Sequence, residues 1–239
     1  MSNTPSQPER DDRLGERERT SLEGRFGAVL VLLFIAVFFS IAAPEGSGAL
    51  LLTTVVLAIT LGIAMLASGV SARAARVWLG VAVLGVGFSI IIALTQESLR
   101  TAGGFLAITS LILTATTIGA IARRVLQYVE ISVVTVLGAV CIYVLVGLSF
   151  AFAYEIVGSF GSQPFFASQQ ERETRSDYVY FSFITMATVG YGDLTAQGGL
   201  GRALAVTEGL LGQIYLVTAV AALVSNVGRA SAPRKRDGR

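Results

Sequence analysis

Six apolar runs, each near the length of a membrane-crossing helix, divide this chain of 239 residues, and that pattern restricts its fold more than anything else in it. An α-helix needs about 20 apolar residues to cross a hydrocarbon core. The runs lie at roughly 26–43, 50–70, 77–95, 104–122, 131–157 and 200–227. Polar or turn-forming breaks separate them: Pro44-Glu45-Gly46 ends the first, Ser71 to Arg76 follows the second, and Gln96 to Gly103 follows the third. The pattern predicts an all-α membrane protein with six transmembrane helices.

Hydrophobic residues make up 53% of the chain and charged residues 14%, a membrane-like balance. Placement says more than the net charge of +2. The first 25 residues carry Arg10, Arg13, Arg17, Arg19 and Arg25, the second connection Arg73 and Arg76, and the fourth Arg123 and Arg124. The C-terminal tail adds Arg229, Arg234, Lys235, Arg236 and Arg239. An even number of spans puts these four basic stretches on one face, the cytoplasmic one by the positive-inside rule. This predicts a multi-pass protein of the plasma (inner) membrane with both termini cytoplasmic. The expected organisation is a disordered leader over 1–25 and four peripheral helices over 26–124. A pore-type unit over 125–228 and a basic tail over 229–239 complete it. No short apolar core marks the leader as a signal peptide. With one cysteine, Cys141, and no histidine, disulfide, metal-ligand and imidazole chemistry are not expected.

Between the fifth and sixth runs stands Thr188-Val189-Gly190-Tyr191-Gly192-Asp193, or TVGYGD. A dehydrated cation needs a cage of oxygens in place of its water, and backbone carbonyls form one if several in a row point the same way. An ordinary strand sends them to opposite sides. Aligning them requires alternation between right- and left-handed backbone, which only glycine adopts cheaply. Gly190 and Gly192 stand at that alternate spacing.

The motif and its flanks resemble the potassium channel family, as a bacterial six-transmembrane subunit with one pore loop. The resemblance implies a filter of Thr188, Val189, Gly190, Tyr191 and Gly192. K+ would be held by the carbonyls of Thr188, Val189, Gly190 and Tyr191, and the Thr188 hydroxyl would form the innermost site. Val189 and Tyr191 would pack behind the filter. Asp193 would sit at the outer mouth, attracting cations or hydrogen-bonding to the back wall.

Residues 176–187 read as a re-entrant pore helix, too short to span, with Ser176 or Asp177 as N-cap. Tyr178, Tyr180, Phe181 and Phe183 form an expected aromatic cuff around the filter, although Tyr178 suits interfacial anchoring equally well. Arg202 begins the sixth span and snorkels toward the interface. Glu208 lies about two turns into that span, where a carboxylate is a functional candidate by default. It either buttresses the filter near Thr185 or reaches the interface through a wet crevice. Gly212 matches the family's inner-helix hinge, or else serves close packing. Gln213, Leu216, Val220 and Val224 recur at helical spacing and either line the cavity and an apolar gate or face neighbouring helices.

A voltage sensor needs arginines at every third position of the fourth span, since each charge crossing the field contributes about 2.3 kcal/mol per 100 mV. The fourth run, GFLAITSLILTATTIGAIA, contains none. Its Thr109, Ser110, Thr114, Thr116 and Thr117 suggest packing and side-chain hydrogen bonds instead. The dozen or so residues after the last run are too few for a cytosolic ligand-sensing domain. The reading is therefore a potassium-selective channel subunit, passive and non-catalytic, forming a homotetramer because four filter strands encircle one ion. Membrane lipids are the other expected partner; no cofactor and no nucleic acid are expected. The alternative is a weakly selective or accessory cation-channel subunit that requires a partner.

Overall fold

The computed structural model describes residues 7–42, 47–94, 99–127, 133–167 and 173–230. Among them run seven helices: α1 (Gln7–Ala42), α2 (Ser47–Ala67), α3 (Ala72–Leu94), α4 (Leu99–Leu126), α5 (Val133–Phe160), α6 (Arg175–Met186) and α7 (Gly198–Ala230). Among the described residues four stretches are long and apolar enough to cross a bilayer: Gly24–Ala42, Arg100–Leu126, Val133–Phe160 and Gly198–Ala222. Thr53–Ala67 is a shorter apolar helix. By length and composition these helices suit an all-α membrane fold.

Two boundaries differ from expectation. α1 begins at Gln7, inside the stretch expected to be disordered. The interleaved Glu and Arg residues there are good helix formers, so a helix nucleated in the apolar half extends outward through them. Residues 1–6 of that leader and 231–239 of the tail lie outside the described residues. Arg73 and Arg76 belong to the first turns of α3, not to a connection, because Ser71 caps that helix by accepting the Ala74 N–H at 3.4 Å.

α4 lies along α5, with α3 against α4 and α1 against both α2 and α5. Glycines permit the α4–α5 approach at both ends. A Cβ on Gly104 would stand 2.8 Å from Phe160 and Ser159, and one on Gly138 would stand 2.5 Å from Val125. The main core gathers Phe26, Leu33, Leu61, Trp78, Leu145 and Phe152. Free Cys141 is buried within it. The hydroxyls of Thr109, Thr114 and Thr117 bond back to their own helix, to the carbonyls of Phe105, Ser110 and Leu113. They satisfy themselves locally and do not bridge helices.

A second, aromatic cluster of Tyr154, Phe165, Phe166, Tyr178 and Phe181 joins α5, the following loop and α6. An antiparallel bridge between Phe166 and Ala196 closes that loop onto the segment before α7, through Ala167 N–H to Thr195 O at 2.9 Å. The short α6 is thereby held between α5 and α7.

Candidate functional site

α6 starts at a cap the sequence reading missed. Thr174, not Ser176 or Asp177, is the N-cap: its Oγ1 accepts the Asp177 N–H, while Asp177 Oδ2 accepts the Thr174 N–H at 2.8 Å. This reciprocal pair is a capping box with aspartate at the third helical position. Arg175 is therefore the first helical residue.

The helix ends at Met186, and the TVGYGD segment folds back onto its C-terminus. Thr188 N–H donates to Thr185 O at 3.0 Å. Val189 and Gly190 N–H both donate to Ile184 O, at 2.9 and 3.2 Å. Helix C-termini leave carbonyls without intrahelical partners, and this segment supplies their donors. Left-handed φ recurs at every second residue: Thr188 57°, Gly190 51°, Gly192 82°. Such alternation collects successive N–H groups on one side. Among the described residues every peptide is trans, so each carbonyl lies opposite the N–H that follows it. Thr188 and Val189 C=O therefore point away from α6. Among the described residues no hydrogen bond ends on a carbonyl from Thr188 to Gly192. The glycine spacing was legible in the sequence; the third left-handed residue, Thr188, was not.

Residues 187–193 are all exposed in the single chain, Val189 at 49% and Tyr191 at 73%. Tyr180 donates its hydroxyl to Asp193 Oδ2 at 2.9 Å, the back-wall alternative for that aspartate. Of the four aromatics assigned to a cuff, Tyr178 and Phe181 pack on Phe165 and Phe166 behind α6. Tyr178 is buried there, with its hydroxyl on Glu173 Oε2, and so is no surface anchor.

Glu208 is fully buried, which rules out the wet crevice within this chain. Tyr154 OH donates to its Oε2 at 2.5 Å and Ser182 Oγ to its Oε1. Ser182 also lies 2.6 Å from Gly147 O. Glu208 thus stitches α7 to α6 and α5 behind the turn. Its partner on α6 is Ser182 and not Thr185, because Ser182 occupies the face of α6 buried against α5 and α7. Thr185 contributes its backbone: a Cβ on Gly209 would stand 4.0 Å from Thr185 O.

Gly212 is a point of close approach. A Cβ there would lie 2.8 Å from Met186 Cγ and 2.9 Å from Met186 O. α7 runs unbroken through it. Gln213, Leu216 and Val220 are exposed on the single chain, away from α5 and α6; the Val224 side chain lies outside the described residues. Arg202 reaches back to Ala196 O at 3.4 Å.

The sequence reading passed over a buried ion pair at the start of α6. Arg175 Nε lies 3.0 Å from Glu155 Oε2, and its Nη2 lies 3.1 Å from Oε1. Arg175 Nη1 donates to Thr54 Oγ1 at 2.8 Å. Glu155 sits inside the fifth apolar run, so the signal that singled out Glu208 could have found it too. Tyr154 and Ser182 carry no such signal. One turn further along α5, Arg100 donates to Gly158 O and Gly161 O, closing the C-terminus of that helix with a cation.

Residues 130–229 match a family model described as ion channel. That region spans α5, α6, the TVGYGD turn and most of α7, so the match covers the unit whose geometry is given above. A search of curated proteins finds no match. The match, on helices apolar enough to cross a membrane, supports an ion channel function.

Proposed function

We propose that this chain is a potassium-selective channel subunit, conducting K+ passively through four TVGYG strands contributed by a homotetramer. The observation that carries the reading is the alternating left-handed backbone at Thr188, Gly190 and Gly192, with its donors spent on Ile184 and Thr185. Oxygens freed on the other side match what a dehydrated cation requires. K+ is the permeant ion, held by the carbonyls of Thr188, Val189, Gly190 and Tyr191, and not a cofactor. Asp193, tied to Tyr180, edges the outer mouth.

Assembly follows from the same geometry. Non-helical backbone at membrane depth is tolerated only when covered by protein or lining water. In one chain the turn is exposed, and Val206, Leu210 and Val217 extend the uncovered face along α7. Further copies supply the cover, and four close a ring with one strand each. In that ring Gln213, Leu216, Val220 and Val224 face the cavity and gate, and α7 bends below the Gly212–Met186 contact.

With α2 of 21 residues and α3 of 23 added to the four spans, the count is six, with both termini cytoplasmic in the plasma membrane. α4 carries no arginine between Arg100 and Arg123, so steep gating by a charged fourth span is not part of the proposal.

The deciding test is the reversal potential of the purified protein in a planar bilayer, with K+ on one side and Na+ on the other. The proposal requires a value near the potassium equilibrium potential. Current reversing near zero would mean a weakly selective pore, and no current would mean an accessory subunit that lacks its partner.

A further inference from the structure

The first two residues of α6 reach out of the pore unit. Arg175, besides its pair with Glu155 of α5, donates to Thr54 of α2 at 2.8 Å. Ser176 Oγ donates to Ile41 O, in the last turn of α1, at 2.8 Å. Arg175 also lies over the Phe152 ring, 5.6 Å from its centroid. The pair is buried, with 7% of each side chain exposed.

Nothing local to α6 calls for this arginine. A cation at a helix N-terminus opposes the helix dipole, and withdrawing a guanidinium and a carboxylate from water is costly. The arrangement holds because its partners lie on other helices, in a planar, two-toothed geometry that fixes direction as well as distance. We propose that Arg175 and Ser176 are positioning residues through which α1 and α2 set the tilt of α6, and through it the backbone of the TVGYG turn. The proposal rests on the channel reading for its consequence, ion selection, but not for its geometry.

The lever is short and stiff. α6 has 12 residues, a rod about 18 Å long, and a tilt of about 3° at one end moves the other by about 1 Å. Val189 and Gly190 N–H bond to Ile184 O at that far end, at 2.9 and 3.2 Å, so the backbone of the turn travels with the end of α6. The peripheral helices therefore act on the filter from its outer side, without passing through α7.

The test uses the full chain in lipid with Thr54→Val, Ser176→Ala and the double variant, each of which leaves the Arg175–Glu155 pair in place. Amide hydrogen exchange over 183–193 is read beside the K+/Na+ permeability ratio. Expected is at least about fivefold faster exchange of the 187–193 amides in the double variant, with a permeability ratio reduced by a similar factor. Faster exchange confined to α2 and the first turn of α6, with 187–193 and the ratio unchanged, would overturn the proposal. Ser176→Ala alone keeps the test open should Thr54→Val fail to assemble. A parent that conducts no ions removes the reading of a self-sufficient homotetrameric channel, while the exchange result still decides this one.

Discussion

At the scale of single residues, the turn after α6 is where backbone chemistry is most constrained. Thr188 holds φ at 57°, a left-handed value that costs a β-branched residue about 1–2 kcal/mol. Its N–H bond to Thr185 O and the following pair onto Ile184 O hold it there. Gly190, at φ 51°, has nothing within 4 Å of where a Cβ would stand. Gly190→Ala therefore costs about 1–2 kcal/mol through conformation alone. Its expected signature is loss of K+ over Na+ selectivity at unchanged helix content, measured by reversal potential and circular dichroism. Glu208 is the second residue whose role is decided by contacts. Glu208→Ala strands the Tyr154 hydroxyl and opens a cavity, lowering stability by about 2–4 kcal/mol. Glu208→Gln keeps an acceptor for Tyr154 and costs about 1 kcal/mol. Denaturant titration of the two variants in detergent checks this, and equal losses would mean the carboxylate does not hold these hydroxyls.

At the scale of elements, α6 and α7 carry opposite kinds of information. α6 is short and depends on its ends, so Thr174→Ala should remove the capping box at a cost of about 1 kcal/mol. Faster amide exchange in its first turn would register that loss, with the last turn spared. α7 meets α6 through small residues: Gly212 sits against Met186, while Gly209 leaves 4.0 Å to Thr185 O. Gly212→Ala overpacks that crossing by about 1–3 kcal/mol, whereas Gly209→Ala is tolerated. Thermal stability of the two variants separates close packing from a pure hinge role, because a hinge glycine loses mobility on substitution but gains no clash.

At the scale of the molecule, the proposed ring would cover the turn and the apolar face of α7 that the single chain leaves exposed. Native mass measurement in a mild detergent is expected to find four copies, and a lone folded chain would sink the ring. The long helices and the place of the TVGYGD turn were legible beforehand because both are local. An apolar run of a given length declares a helix, and alternate glycines declare a left-handed alternation within six residues. What Glu208 touches was not legible, nor that Arg175 pairs at all. Tyr154 lies 54 residues from Glu208, and Thr54 lies 121 from Arg175. No periodicity spans such gaps. Thr174 escaped notice as a cap for a related reason, since three neighbouring polar residues compete for that position and only the folded backbone selects one. Sequence alone determined which apolar segments are helical and where the backbone must alternate, both consequences of short-range sterics and solvation. Tertiary structure decided which buried charge meets which partner, and whether a glycine is a bend or a contact, because those depend on distances between helices that no single segment encodes.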